Sequence, residues 1–336
     1  MPETEIRLSP RAARDLIYGA LTGAGTSPAN AGYFTEAILD TELSGLDGHG
    51  FHWLQYYCEH VRSGKVNGRA KPKIKQLSPV SFNVDAGYGF AHPAIEQGFA
   101  KLIPAAQEYG IAGMAVHKSY NAATLGFHTG TLAKRGLLAF GFTNSVPAIA
   151  PVGGRTAVIG TNPMSFAVPG KKGKIAFLID QSSSAVAWTA VKRAAEEGRP
   201  IPLGWALAAN GQPTTDAEQG LKGSMSPSGG YKGFGQGLIV EVMCAALAGG
   251  LRGLEMGSFT ENDGRPIGCG QFFIAIAPKI FAGGAFARQI DALTQSITSQ
   301  RGARLPNARR EANIKRLSED GLPISAALYE RLKGFL

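Results

Sequence analysis

The stretch Gly229-Gly230-Tyr231-Lys232-Gly233-Phe234-Gly235-Gln236-Gly237 decides what kind of α/β protein this chain becomes. A dinucleotide fingerprint would read G-x-G-x-x-G between an early strand and a helix, with an acidic residue about 20 positions on. Here the glycines stand late in the chain at the wrong spacing, so a Rossmann unit is excluded. The context predicts a glycine loop opening a long, nearly all-apolar helix over 235–248. Backbone amides at a helix N-terminus, with Lys232 beside them, make an anion site by geometry. A loop that only lets the helix pack closely accounts for the same glycines, and spacing does not choose between the two. No Walker A sequence occurs, which argues against ATP chemistry.

Upstream, residues 80–85 alternate like a strand, 87–89 make a turn, and a helix fits 94–108. Apolar runs at 113–117 and 138–143 flank a helical stretch at 125–135, giving β-α-β periodicity. Further strands fit 164–168, 175–180 and 272–276, and an amphipathic helix fits 286–300. The N-terminal part reads as helical. Ser9-Pro10 and Ser27-Pro28 each join an N-cap to a proline at the first helical position, and Ala12, Leu16, Ile17 and Leu21 recur at helical spacing. A third helix fits 53–62. The expected class is mixed α/β with an N-terminal helical layer.

The composition fits this reading. The 336 residues are 44% hydrophobic and 18% charged, enough for a buried core and, at roughly 100–200 residues per domain, for two domains. The 45 glycines follow no G-X-Y period. Net charge is +9, but the basic residues are scattered, with clusters at 65–75, 171–174 and 301–310, and only 9% of residues are aromatic. That argues against nucleic acid as a partner and suits an anionic cofactor or acidic substrate. Cys58, Cys244 and Cys269 show no C-x-x-C spacing, so a reducing compartment without a disulfide framework is expected. The polar N-terminus, from Met1 to Glu5, predicts no signal peptide, and no apolar run is long enough for a membrane span. The expected location is the cytoplasm.

Among six histidines, His49 and His52 are spaced to share a helical face. No carboxylate follows to complete a zinc site, so no metal is expected and two polar surface histidines account for the pair. His49 differs by its setting in Gly48-His49-Gly50, where flanking glycines free the backbone to present one imidazole. An imidazole poised near neutral pH suits general acid work in carbonyl or imine reduction. Asp180 ends an apolar strand and is followed by Gln181, Ser182, Ser183 and Ser184. It reads either as a carboxylate orienting a catalytic histidine or as the N-cap of a helix starting near 185. Gly160-Thr161-Asn162-Pro163 reads first as a turn.

Taken together, Gly48-His49-Gly50, Ser63-Gly64-Lys65-Val66-Asn67-Gly68, Asp85-Ala86-Gly87-Tyr88-Gly89-Phe90, Thr143-Asn144-Ser145 and Pro151-Val152-Gly153-Gly154 resemble one family. So do Gly160-Thr161-Asn162-Pro163, the Asp180 strand end, Gly229-Gly230-Tyr231-Lys232-Gly233 and Arg304-Leu305-Pro306-Asn307-Ala308-Arg309-Arg310. The family is that of the malate/L-lactate dehydrogenase-like oxidoreductases, with a non-Rossmann NAD(P)-binding fold. It includes ureidoglycolate, sulfolactate and diketogulonate oxidoreductases and the Δ1-piperideine-2-carboxylate/Δ1-pyrroline-2-carboxylate reductases. The motifs are collinear over most of the chain.

The resemblance implies that His49 donates the proton and that Asp180 belongs to its relay. Trp53, His52, Thr161 and Gln181 would face the substrate. NADP or NAD, with NADPH favoured, would lie against Asn121, Ala122, Ala123, Thr124, Leu125, Ser182, Ser183, Ser184, Lys232, Gly233, Asn307, Ala308, Arg309 and Arg310. A helical, substrate and dimerisation unit would span 1–118 with 296–336, an NAD(P)-binding unit 119–295, and the protein would be a homodimer.

The chain also departs from the family pattern. A serine before the histidine and an arginine four residues after it are usual, and here those positions hold Gly48 and Trp53. A second histidine is replaced by Asn121, and Trp188 stands where some members place histidine. Trp53 and Trp188 suit a ring or cationic imine by cation–π contact. The expected activity is therefore NAD(P)H-dependent reduction of a cyclic 2-imino acid or a 2-oxo acid. A 2-hydroxy acid dehydrogenase of malate, lactate or sulfolactate type is the alternative, and a nucleotide-binding member with impaired catalysis is the reading from another class.

Overall fold

The computed structural model describes residues 5–336, so the polar stretch Met1–Thr4 lies outside the described residues. Strand β1 (Glu5–Leu8) leads into α1 (Pro10–Gly23) and α2 (Pro28–Leu43). Both helices start as predicted: the Ser9 and Ser27 hydroxyls accept the N–H groups of Ala12 and Asn30, and each proline sits in the first turn. Helix α3 (Phe51–Arg62) begins two residues before the predicted 53. Its first N–H, from Phe51, is received by the carboxylate of Glu42, buried on α2. A Cβ on Gly50 would overlap that carboxylate, so glycine is what lets α2 cap α3.

The next elements are β2 (Lys73–Ser78), β3 (Ser81–Asp85), α4 (Ala91–Tyr109), β4 (Ile111–Ser119), α5 (Leu125–Lys134), β5 (Leu138–Thr143), β6 (Met164–Pro169) and β7 (Ile175–Gln181). A small layer follows, made of α6 (Trp188–Glu196), β8 (Ala206–Leu207), β9 (Pro213–Thr214), α7 (Ala217–Lys222) and β10 (Ser224–Met225). The chain continues through α8 (Tyr231–Glu241), β11 (Cys269–Ile276), α9 (Pro278–Ala282), α10 (Ala285–Thr298), α11 (Ala308–Asp320), β12 (Leu322–Ser325) and α12 (Ala326–Lys333).

Seven strands form the central sheet in the order β2-β3-β4-β11-β5-β6-β7. Only β3 and β4 pair in parallel, joined by the crossover helix α4, and every other pair is antiparallel. Late in sequence, β11 inserts between β4 and β5, with Phe273 opposite both Met114 and Gly141. Helices α4 and α5 bury one face of the sheet around Ile95, Phe99, Leu132 and Phe273, while Val240 of α8 and Cys244 just after it cover the other around Phe142. The helical layer has its own core, in which Ile17, Leu21, Phe34, Ile38, Leu54 and Tyr57 meet Leu332 and Phe335 from the chain's end. This is the non-Rossmann α/β architecture that the sequence predicts. Strands β2 and β3, on the first side of the 118/119 division, and β4, which ends at Ser119, share the sheet with β5–β7 and β11.

Several elements differ from expectation. The helix predicted over 235–248 starts at Tyr231, ends at Glu241, and passes into a π-helical turn, Val242–Leu247. Its apolar residues are not all buried, since Leu238, Ile239, Val242 and Leu247 are exposed on its outer side. Residues 308–320, which overlap the end of the basic cluster 301–310, form a helix. Strands β1, β12 and β2 carry too few apolar residues to signal themselves. In β2, five of six side chains are exposed and only pairing with β3 keeps it extended.

Candidate active site

A cleft of about 490 Å³ opens where β4, β5 and β7 end and β11 begins. Three units wall it: the entry to α3 (Leu46, His49, Trp53), the loop into α5 (residues 121–125), and the start of α6 (Ala187, Trp188, Thr189). Thr143 to Ala148, Thr161, Pro163, Asp180, Gln181, Ser182, Cys269, Arg310 and a loop at Ser258, Phe259 and Thr260 complete the lining.

His49 ends a short 3-10 turn, Asp47–His49, directly before α3. The Trp53 indole N–H donates to the Gly48 carbonyl at 2.7 Å. That bond uses the one polar group of the ring, so Trp53 presents an apolar face to the cleft and no donor. A Cβ on Gly48 would lie 3.0 Å from Thr189 Oγ1, so α6 packs tightly against the histidine's turn. Trp53→Phe, which deletes the donor and shrinks the indole to a single ring, is expected to lower stability by about 2 kcal/mol, read from urea unfolding.

Asp180 lies within β7 rather than before a helix, since α6 begins only at Trp188. The reading of Asp180 as an N-cap is thereby corrected. Its Oδ2 accepts the N–H of Gly126 at 2.9 Å and pairs with Arg310 at 3.2 Å. Gly126 is the second residue of α5, so the carboxylate sits at the positive end of that helix. The N-cap of α5, Thr124, makes no side-chain capping bond, and its hydroxyl meets that of Thr41 at 3.2 Å. The preceding backbone is held open: Asn121 Oδ1 accepts the Ala123 N–H, and Ala123 is left-handed at φ 51°. Thr161 is braced by its neighbour. Asn162, also left-handed, accepts the Ser145 N–H and donates to the Gly237 carbonyl and to Glu241. The turn expected at 160–163 is thus a strut between two cleft segments.

Of the residues named from sequence, the structure gathers His49, Trp53, Asn121, Ala122, Ala123, Thr124, Leu125, Thr161, Asp180, Gln181, Ser182 and Arg310 in one cleft. The others lie outside its lining. His52 is exposed on α3 beside Tyr56, with ring centroids 6.2 Å apart. Ser183 and Ser184 are buried and satisfy the carbonyls of Asn162 and Val186. Lys232 is exposed. Gly233 packs where a Cβ would overlap the Ser228 backbone, which supports the packing reading of the glycine loop. Asn307 and Ala308 start α11, and Arg309 is exposed while Arg310, one residue on, reaches the cleft. Unforeseen were Thr189 and the loop Ser258 to Thr260. The sequence signal for the loop was present in Gly257-Ser258-Phe259-Thr260-Glu261-Asn262-Asp263-Gly264, a polar run bounded by glycines. Among the described residues, no group of three or more His, Cys, Asp or Glu is placed to hold a metal ion, and no helix is long and apolar enough to cross a membrane.

Known proteins share this architecture over nearly its whole length. A (2R)-3-sulfolactate dehydrogenase (NADP(+)) from Chromohalobacter salexigens is 37% identical over 328 residues, covering 98% of this chain and 97% of its own. A Δ1-pyrroline-2-carboxylate reductase from Ancylobacter novellus is 35% identical, covering 98% and 97%. The crystal structure of the Δ1-piperideine-2-carboxylate reductase from Pseudomonas syringae superposes with a TM-score of 0.92 at 31% identity, covering 98% of this chain and all of that one. The sequence model of the malate/L-lactate dehydrogenase family matches residues 8–333, and the chain belongs to that family.

Proposed function

We propose that the protein is an NAD(P)H-dependent reductase that delivers hydride to C2 of a cyclic 2-imino acid of the Δ1-pyrroline-2-carboxylate or Δ1-piperideine-2-carboxylate type. The observation that carries the reading is the meeting of an imidazole, His49, with a helix N-terminus and a carboxylate–guanidinium pair in one cleft. An anionic dinucleotide fits the α5 end. There the helix is left uncapped by its own N-cap side chain, Ala123 holds the backbone turned toward the cleft, and Arg310 neutralises Asp180. Residues 121–125, Ser182 and Arg310 would hold the cofactor, which when bound supplies the hydride.

His49 holds the proton for the substrate atom double-bonded to C2, which takes it as C2 becomes tetrahedral. Asp180, fixed in the same cleft by the Gly126 N–H and Arg310, would belong to the relay that serves His49. Trp53 and Trp188 contribute flat apolar walls that suit a five- or six-membered ring and a cationic iminium. Their aromatic character favours the imino acid. A second reading, a 2-oxo or 2-hydroxy acid oxidoreductase of sulfolactate type, is supported by the 37% identity to such an enzyme. We further propose a cytoplasmic homodimer. The three buried free thiols and the exposed apolar strip of Leu238, Ile239, Val242 and Leu247 support it.

The test is loss of absorbance at 340 nm with NADPH and then NADH. The panel is Δ1-pyrroline-2-carboxylate, Δ1-piperideine-2-carboxylate, sulfopyruvate, oxaloacetate and pyruvate. Turnover is expected on the cyclic imines, fastest with NADPH. Turnover confined to sulfopyruvate would install the second reading, and cofactor binding without any turnover would leave a nucleotide-binding protein.

A further inference from the structure

Lys65, in the loop after α3, is one of the largest fully buried side chains of the molecule and is 1% exposed. A buried ammonium loses its hydration and persists only where fixed oxygens replace it. Its oxygens come from nearly 200 residues away. Nζ donates to the Glu261 carbonyl at 2.6 Å and to Asp263 Oδ1 at 2.8 Å. Both belong to the 257–265 loop, which carries Ser258, Phe259 and Thr260 into the cleft.

The loop's own ties are short-range and exposed: Ser258 Oγ accepts the Thr260 N–H at 3.1 Å, and Asp263 Oδ1 accepts the Arg265 N–H at 3.2 Å. Its neck is closed by backbone approach, since a Cβ on Gly257 would lie 2.5 Å from the Arg265 carbonyl. Residues 260–263 are exposed. On the cleft side, Phe259 makes an edge contact with Tyr120 at 5.9 Å, and the Tyr120 hydroxyl bonds His60 Nδ1 of α3. On the solvent side a weak bond joins Asn262 to Glu59 at 3.3 Å. The charged bond from below is the strongest of these ties.

We propose that Lys65 is a positioning residue, a latch that holds the 257–265 loop down so that Phe259 walls the substrate end of the cleft. An apolar residue would fill the same space at lower cost, but it would not grip a polar loop. The side chain therefore acts on substrate binding through the loop, not on the reacting atoms. The kinetic part rests on the reductase reading above, whereas the structural part does not.

The test compares Lys65→Met, Lys65→Arg and Asp263→Asn in the full-length protein. Hydrogen exchange at residues 257–265 is expected to accelerate about tenfold or more in Lys65→Met, less in Asp263→Asn, and least in Lys65→Arg. On the turned-over substrate of the panel, KM should rise about tenfold in Lys65→Met with kcat changed less than about threefold and NADPH affinity held, as expected for lost ground-state binding. Exchange at wild-type rate in both Lys65→Met and Asp263→Asn overturns the latch. Faster exchange with unchanged KM overturns its service to the substrate and leaves a purely structural lysine. If Lys65→Met does not fold, Asp263→Asn decides alone, because Asp263 is exposed. If the wild type turns over nothing, the reductase reading fails while exchange still judges the latch.

Discussion

His49→Asn is expected to lower kcat by about 10²–10⁴ while leaving the Kd for NADPH within about twofold. Asparagine keeps a polar side chain of similar reach but has no proton to give at neutral pH, so the loss falls on proton delivery. Cofactor affinity should hold because the residues proposed to bind it, 121–125, Ser182 and Arg310, sit on other elements than the α3 entry that carries His49. The measurement is steady-state turnover on the best panel substrate beside a fluorescence titration with NADPH. Turnover like that of the wild type would remove His49 from the chemistry. An equal collapse of cofactor binding would make it a structural residue of the cleft.

The protein is also expected to lose stability steeply between pH 6.5 and pH 4. His128 is buried on α5 and its pKa is pushed down to about 4 by burial. His60 is pushed down to about 4 by burial and by the Lys65 ammonium. His92, buried and stacked on Phe34 at 4.3 Å, lies well below its ordinary value through burial and the neighbouring His128. All three are neutral in the folded protein, so the unfolded chain binds more protons throughout that window. Stability is therefore fully present above pH 6.5 and falls as the pH drops toward 4. A shift from 6.5 to about 4 corresponds to about 3 kcal/mol for one such group, and His92 and His128, which repel each other when charged, do not add independently. Urea midpoints at pH 7.5, 6, 5 and 4.5 should fall progressively. A flat series would show that the three sites open locally and take up protons without unfolding.

Much of the fold was legible because its signals are local. Ser9-Pro10 and Ser27-Pro28 mark helix starts by chemistry confined to four residues, and the apolar runs at 138–143 and 175–180 match β5 and β7 to within a residue. The illegible elements depend on partners distant in sequence. β1 pairs with β12 across the whole chain, and Glu5 opposes Ser325. The π-helical turn after α8 and the split between its buried Val240 and exposed Ile239 follow from packing on the sheet, which composition does not encode.

The site divides in the same way. From the sequence alone came the family resemblance, the isolation of His49 between two glycines, the strand-end position of Asp180, and the losses at Gly48 and Trp53. These are properties of residue type and short spacing. Only the tertiary structure decided that Asp180 binds Arg310 and the start of α5, that Trp53 spends its N–H on Gly48, that Arg310 and not Arg309 enters the cleft, and that Lys65 grips a loop almost 200 positions on. Each of those is a choice of partner among many chemically equivalent ones. Side-chain chemistry states what a group can bind, and only the packed chain states which group is within reach.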